Sequence, residues 1–247
     1  MKISIITATY NSESTILDTI KSLEFQTYDN IEYIIIDGES KDNTLDLIKN
    51  NSKRVSKIVS EPDSGIYDAL NKGIIHSTGD IVGFLHSDDV LAYPDAISDL
   101  VNKLSYEKSD AIYADLDYVS KEDETKIVRH WRSGPYKREN MMRGWMPPHP
   151  TFFMKKSLYI EHGLFDLQFK ISADYDSLLR YIFKNNISLS YLPRVTTKMR
   201  VGGESNRSIK NIIKKTKEDI LALKKNELPW IKAIFLKNLS KIPQFIK

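Results

Sequence analysis

The chain has 247 residues, of which 41% are hydrophobic and 28% charged, a balance that fits one soluble α/β domain with additions or two small domains. It has no cysteine, which excludes disulfides, thiolate-held zinc and a cysteine nucleophile. The net charge of +3 hides an asymmetry: from Arg207 onward eleven Lys/Arg stand against three Asp/Glu, so a basic tail follows a mildly acidic body.

The opening stretch MKISIITATYNSES carries one lysine and a short apolar run, too short for a signal peptide, and reads as a core strand at 3–7. Asn11 or Ser12 is the expected cap of a helix with Ile16, Ile20 and Leu23 on one face. IEYIII at 31–36 is a second strand, apolar throughout as buried parallel strands are. Asp42 is the expected cap of a short helix with Leu45 and Ile48 inward, and residues 57–60 form a third strand. A helix over 66–76, a strand over 81–86 and a helix opened by Pro94 and Asp95 complete an alternating pattern. Such alternation predicts a Rossmann-like, mostly parallel sheet with helices on both faces.

After about residue 106 the alternation weakens. DAIYAD and KIVRHW read as strands around a charged turn at 120–126, GWMPPHP as a proline-fixed loop, TFFM as a strand and ADYDSLLRYIFKN as a helix with Leu178, Leu179 and Ile182 inward. Two basic helical segments, 207–226 and 230–246, close the chain. The predicted organisation is a body at 1–206 and a basic, amphipathic helical extension at 207–247. No apolar run reaches the roughly 18–20 residues needed to span a bilayer, so the expected location is cytoplasmic.

In a parallel sheet, ligands sit beyond the carboxyl ends of the strands. Three polar clusters fall there: TATYN, DGESKDN and HSDD. Neither GxxxxGK[ST] nor a GxGxxG after the first strand is present, so the rim offers carboxylates in place of a glycine-rich anion cradle. Carboxylates hold phosphates only through a divalent cation. Asp88, with Asp89 as second candidate, therefore reads as a metal site that holds a diphosphate; the plainer reading is that both cap the turn after the strand.

ISIITATYN, IIIDGESKDNT, EPDSGIYDALNKGI, GDIVGFLHSDD, FDLQFKISADYDSLLR and RVGGES, in that order, resemble family 2 glycosyltransferases. These are inverting enzymes of the GT-A fold that use nucleotide-diphosphate sugars. The resemblance spans about residues 1–205 and points to bacterial members that build O-antigen, capsule or exopolysaccharide units. It implies that Thr9 and Tyr10 line the nucleobase and ribose pocket and that Asp37 accepts from a uracil N–H, with Gly38 where many relatives carry a second Asp. Asp88 matches the last position of the family's DxD motif, the usual ligand of Mn2+ or Mg2+, with His86 and Ser87 at the first two. Asp174 matches the catalytic base, with Ala173 in place of the preceding Glu. Asp63, Tyr67 and Lys72 are implied to run along the donor diphosphate, and His149 to stand near the acceptor or diphosphate. Arg200 with the glycines after it reads as a segment that closes over the donor. Plainer alternatives stand beside these: an N-cap for Asp174, packed rings for His86 and His149, a simple turn for the glycines.

In the tail, Ile231, Ile234, Phe235, Leu239 and Ile242 recur at helical spacing among Lys232, Lys237, Lys241 and Lys247, with Trp230 and Phe245 suited to a lipid interface. This predicts peripheral binding to the inner face of the cytoplasmic membrane, where a polyprenyl-diphosphate-linked saccharide acceptor would reside. Packing of the tail on the body or in a homodimer is the alternative. Nucleic acid is not an expected partner, since the tail has few aromatics to stack on bases. Two other functions are consistent with parts of the sequence: a sugar nucleotidyltransferase, although its usual basic glycine-rich N-terminal loop is missing, and a non-catalytic nucleotide- or lipid-binding scaffold, suggested by the His86 and Ala173 departures.

Overall fold

The computed structural model describes residues 1–202 and 209–239. Within them a single nine-stranded sheet runs through the molecule. β1 (Ile3–Thr9), β2 (Ile31–Asp37), β3 (Val55–Ser60) and β4 (Ile81–Phe84) are parallel and lie in the order β3-β2-β1-β4. The order continues with β8 (Phe153–Lys155), β6 (Ala111–Val119), β9 (Leu189–Arg200) and β5 (Val90–Leu91), while β7 (Ile127–Trp131) pairs outward from β6. β8 is antiparallel to both β4 and β6, whereas β6 and β9 are parallel. The parallel reading therefore holds for the first half, and the second half is mixed.

Strand alternation sends two sets of side chains to opposite faces. Ile3 and Ile5 of β1 and Tyr33 and Ile35 of β2 meet α1 (Ile16–Glu24), α2 (Thr44–Asn51) and α4 (Ala96–Glu107). Ile6, Ala8, Ile34 and Ile36 meet α3 (Ile66–His76), α6 (Lys156–His162) and α7 (Ala173–Leu178) on the other face. α7 continues without a break into a π-helical turn at Leu179–Lys184, and a short α5 (Arg138–Met141) packs nearby. The C-terminal α8 (Ile209–Lys225) and α9 (Trp230–Leu239) join this second face, burying Ala222, Leu223, Leu228 and Ala233 in its core. No helix among the described residues is long and apolar enough to cross a membrane.

Two expected caps fall early, Asn11 or Ser12 by three or four residues and Asp42 by one. α1 starts at Ile16 after Thr15, because the backbone carbonyl of Ser12 takes the N–H groups of Thr15 and Ile16 in a preceding turn. Asp42 does bond ahead, from Thr44 N–H (3.0 Å) and Oγ (2.6 Å), but Asn43 holds the cap position. β9 contains Pro193, a residue that strands seldom hold away from an edge or irregularity. The ladder accommodates the proline by slipping: Ala114 pairs with Leu192 and Asp115 with Val195.

α3 lies against β1 at Gly73, where an added Cβ would stand 2.3 Å from Ile6 Cγ2. Helix propensity alone favours alanine there by about 1 kcal/mol, but overpacking a filled core costs ~1–3 kcal/mol. Gly73→Ala is expected to lower the melting temperature by several degrees in a thermal melt, against the direction of propensity.

Candidate active site

β4 delivers the chain to the sheet rim at Phe84, and residues 86–89 turn sharply, with Asp89 N–H donating to His86 O at 3.0 Å. The turn is fixed through its backbone. Arg200, the last residue of β9, donates to Asp88 O at 2.9 Å and to the Asp18 carboxylate at 2.6 Å. Thr15 Oγ donates to Ser87 O (2.9 Å) and Thr19 Oγ to Asp89 O (2.8 Å). These bonds use the backbone of the turn; of its side chains, Ser87 Oγ is paired with Ser12 Oγ at 3.0 Å. Asp89 is 1% exposed, neither of its carboxylate oxygens has a hydrogen-bond partner, and burial followed by repulsion from Asp88 pushes its pKa well above the usual carboxylate range.

A cavity of about 460 Å³ opens beside this turn. On one wall are Tyr67, His86, Ser87, Asp88, Asp89 and Arg200; on another is Asp174, in the first turn of α7. Tyr67 OH lies 3.1 Å from Asp174 Oδ1 and 2.7 Å from Ile171 O, so it ties the carboxylate to α3. His149 is buried and sits in a column between Phe84 (ring centroids 5.2 Å apart) and His86 (5.9 Å). Burial lowers its pKa to about 4, against the pull of Asp174, so the ring is neutral at physiological pH. His86 is shifted down for the same reason, with Asp88 and Asp174 opposing. Nδ1 of His86 and Nε2 of His149 are buried without partners.

The remaining expected site residues stand elsewhere. Thr9 is buried at the end of β1, and Tyr10 is exposed. Asp37 is fully buried, its carboxylate taken by Ser40 Oγ (2.5 Å), Ser60 Oγ (2.6 Å) and Ser40 N–H. Tyr10 and Asp63 close around Gly38, where a Cβ would be 2.6 Å from Asp63 Oδ2 and 3.4 Å from the Tyr10 ring; this packing explains why no side chain follows Asp37. None of Thr9, Tyr10, Asp37 and Asp63 lines the cavity. Lys72 does not line the cavity: it is held by Glu61 (2.9 Å), Asp68 (3.6 Å) and Pro62 O (2.8 Å). Arg200 is a clamp of the 86–89 turn in this conformation, and the Gly203, Glu204 and Ser205 of the expected closing segment lie outside the described residues.

Sequence reasoning missed part of the lining. The β6–β7 hairpin contributes Tyr118, Trp131 and Arg129, the guanidinium lying 4.2 Å from the Tyr118 ring centroid. Trp145 follows from the proline loop, and Lys215 and Lys237 from α8 and α9. The signal available for the hairpin was two aromatics and an arginine at alternating strand positions; nothing marked the two lysines among so many.

Residues 4–161 match the family described as Glycosyl transferase family 2. An uncharacterized glycosyltransferase of Mycobacterium tuberculosis is 33% identical over 180 residues, covering 72% of this chain and 68% of that one. The chain belongs to glycosyl transferase family 2. Among solved structures, S. aureus TarS superposes with a TM-score of 0.69 at 19% identity; the match covers 90% of this chain and 39% of TarS. TarS 1–349 in complex with UDP-GlcNAc gives a TM-score of 0.70 at 17% identity, covering 96% and 70%. The mannosyltransferase PcManGT from Pyrobaculum calidifontis, in complex with GDP-Man and Mn2+, gives 0.69 at 16% identity, covering 98% and 70%. The fold is GT-A.

A buried carboxylate without a partner destabilises its surroundings. Because the folded pKa of Asp89 is raised, its favourable contribution is present below the unfolded carboxylate value and is lost as pH rises through the folded one. Asp89→Asn is expected to raise the melting temperature at pH 7 and to leave it nearly unchanged at pH 3.5, as read by paired thermal melts.

Proposed function

We propose that the protein is a metal-dependent, inverting glycosyltransferase that moves a sugar from a UDP-sugar to a hydroxyl of a lipid-linked saccharide in bacterial surface polysaccharide synthesis. The observation that carries this reading is that the 86–89 turn after β4 and Asp174 in the first turn of α7 face one cavity. The free carboxylate oxygens of Asp89, beside Asp88, fit a divalent cation such as Mn2+ or Mg2+. Among the described residues no three His, Asp or Glu side chains form a ready-made cage. That suits a cation which takes one or two carboxylates and completes its shell on substrate oxygens and water. When bound, the ion neutralises the charge that develops on the departing diphosphate.

The protein's own groups supply the rest. Asp174, steadied by Tyr67, takes the proton of the acceptor hydroxyl as its oxygen bonds to the anomeric carbon and the bond to the diphosphate breaks. In one displacement the new bond forms opposite the old, so the anomeric configuration inverts. His149 and His86 offer a ring nitrogen each, and Tyr118, Trp131 and Trp145 offer aromatic faces to sugar rings on the acceptor side. The group of Thr9, Tyr10, Asp37 and Asp63, gathered around Gly38 at the ends of β1 and β2, is the proposed seat of the uridine. Its use requires Asp37 to exchange a serine bond for the base.

The outer face of α8 and α9 supports a membrane station. Ile231 and Phe235 are 69% and 65% exposed, with Ile212, Ile213 and Trp230 also open and lysines between them. This arrangement suits an anionic bilayer surface on the cytoplasmic side, where a polyprenyl-diphosphate acceptor is within reach. Leu239 through its side chain, and Lys241, Ile242, Phe245 and Lys247, belong to the same expectation and lie outside the described residues. Co-sedimentation with vesicles containing anionic lipid is expected for the wild type, and a several-fold weaker association for Ile231→Ser with Phe235→Ser.

Calorimetry with UDP tests the donor site: binding is expected to require Mn2+ and to be lost in Asp88→Ala. Asp174→Asn is expected to bind UDP normally and to lose transfer by roughly 10²–10⁴-fold. UDP binding equal with and without Mn2+ contradicts the cation site, and binding without transfer to any lipid-linked acceptor points to a scaffold.

A further inference from the structure

Asp174 is flanked on both sides by groups from the C-terminal helices. Before it, the backbone N–H groups of Lys170, Ile171 and Ser172 donate to one oxygen, Oε2 of Glu218 on α8, at 3.0, 2.8 and 3.0 Å. Ser172 Oγ donates to Oδ1 of Asp219 at 2.8 Å. After it, the Tyr175 ring carries the Lys237 ammonium 3.4 Å from its centroid, and Lys237 donates to Asp219 at 2.9 Å. Asp176 Oδ1 accepts from Asn226 Nδ2 at 3.0 Å. Across the same loop, Asn71 of α3 exchanges two hydrogen bonds of 2.9 Å with the backbone of Phe165.

Both carboxylates are buried, Glu218 to 9% and Asp219 to 5% exposure. Burying a carboxylate is costly unless its oxygens are satisfied; Glu218 Oε2 is satisfied by the backbone that leads into α7, and Asp219 by Ser172, Lys215 and Lys237. Burial raises the pKa of Asp219, but Lys237 and Lys215 outweigh that effect and hold it below the usual carboxylate value, so it is a charged anchor. Three successive N–H groups aimed at one oxygen fix the direction in which the chain enters α7. That direction sets where the side chain of residue 174 points. Catalytic geometry tolerates errors of only about half an ångström.

On the reading of Asp174 as base, we infer that Glu218 and Asp219 are positioning residues that aim its carboxylate into the cavity through the 170–172 backbone. The C-terminal helices then belong to the catalytic half of the active site, and donor binding on the β1–β4 side is independent of them.

The test uses the full chain with Glu218→Gln, which keeps an acceptor oxygen, and Glu218→Ala, which does not. Amide hydrogen exchange is read over residues 168–178 and over β1–β4, UDP affinity by calorimetry with Mn2+, and turnover as UDP released from UDP-GlcNAc. The expected result is graded. Exchange at 170–176 rises at least tenfold in Glu218→Ala and less in Glu218→Gln, while exchange in β1–β4 and UDP affinity stay within twofold. Turnover falls at least tenfold in kcat with KM for UDP-GlcNAc little changed. Unchanged exchange in Glu218→Ala overturns the inference, as does normal kcat despite faster exchange. Parallel losses in melting temperature, UDP affinity and kcat also overturn it, since they mark general destabilisation. Absence of UDP release by the wild type bears on the choice of donor or on the glycosyltransferase reading, and the exchange and affinity measurements then decide the inference alone.

Discussion

The contact between Arg200 and the 86–89 turn joins the two halves of the molecule at the site. Arg200 ends β9, in the mixed half of the sheet; Asp88 follows β4, in the parallel half. A guanidinium that donates at once to the Asp88 backbone carbonyl and to the Asp18 carboxylate ties the turn to α1 as well as to β9. It does so without spending the carboxylates of Asp88 and Asp89. The rest of the site depends on this division: backbone groups and Ser87 absorb the structural bonds, and the two carboxylates stay open. Asp89 carries the cost, as a buried carboxylate with open oxygens.

The parallel half of the fold was legible in the sequence because β1, β2 and β4 are buried on both faces and each helix has one apolar stripe. Ile16, Ile20 and Leu23, or Leu70 and Ile74, announce their neighbours without any tertiary information. β9 was not legible, because Pro193 is tolerated only through a slip in the β6–β9 ladder that no local pattern records. The short β5 and the π-helical turn after α7 are likewise set by their surroundings, not by propensity.

Within the site, legibility followed chemistry that sits on one strand end. His86, Asp88 and Asp89 are neighbours in sequence, and Asp174 and His149 stand in motifs with their own punctuation. Asp37 and Lys72 were legible as rim residues, but their partners were not: Ser40 and Ser60 hold the first, Glu61 and Asp68 the second. Whether a rim carboxylate is open or taken depends on serines that look unremarkable in the chain. Trp131 and Trp145 are separated from the aspartates by more than forty residues and reach the cavity only through the hairpin and the proline loop.

The basic extension shows the limit of charge patterning most clearly. A run with eleven Lys/Arg reads as a solvated or lipid-facing surface, and its outer face does expose Ile231 and Phe235. Yet the same helices bury Glu218, Asp219 and Lys237. An ammonium 6% exposed, shared between a carboxylate and an aromatic ring, is not a feature of a detachable tail. Removing one member of such a buried pair leaves the other uncompensated, at a cost of about 3–5 kcal/mol. Two acidic residues in adjacent positions of a lysine-rich helix were therefore more informative than the lysines around them. Where basic charge is plentiful, the scarce carboxylates mark the face on which the helix is held.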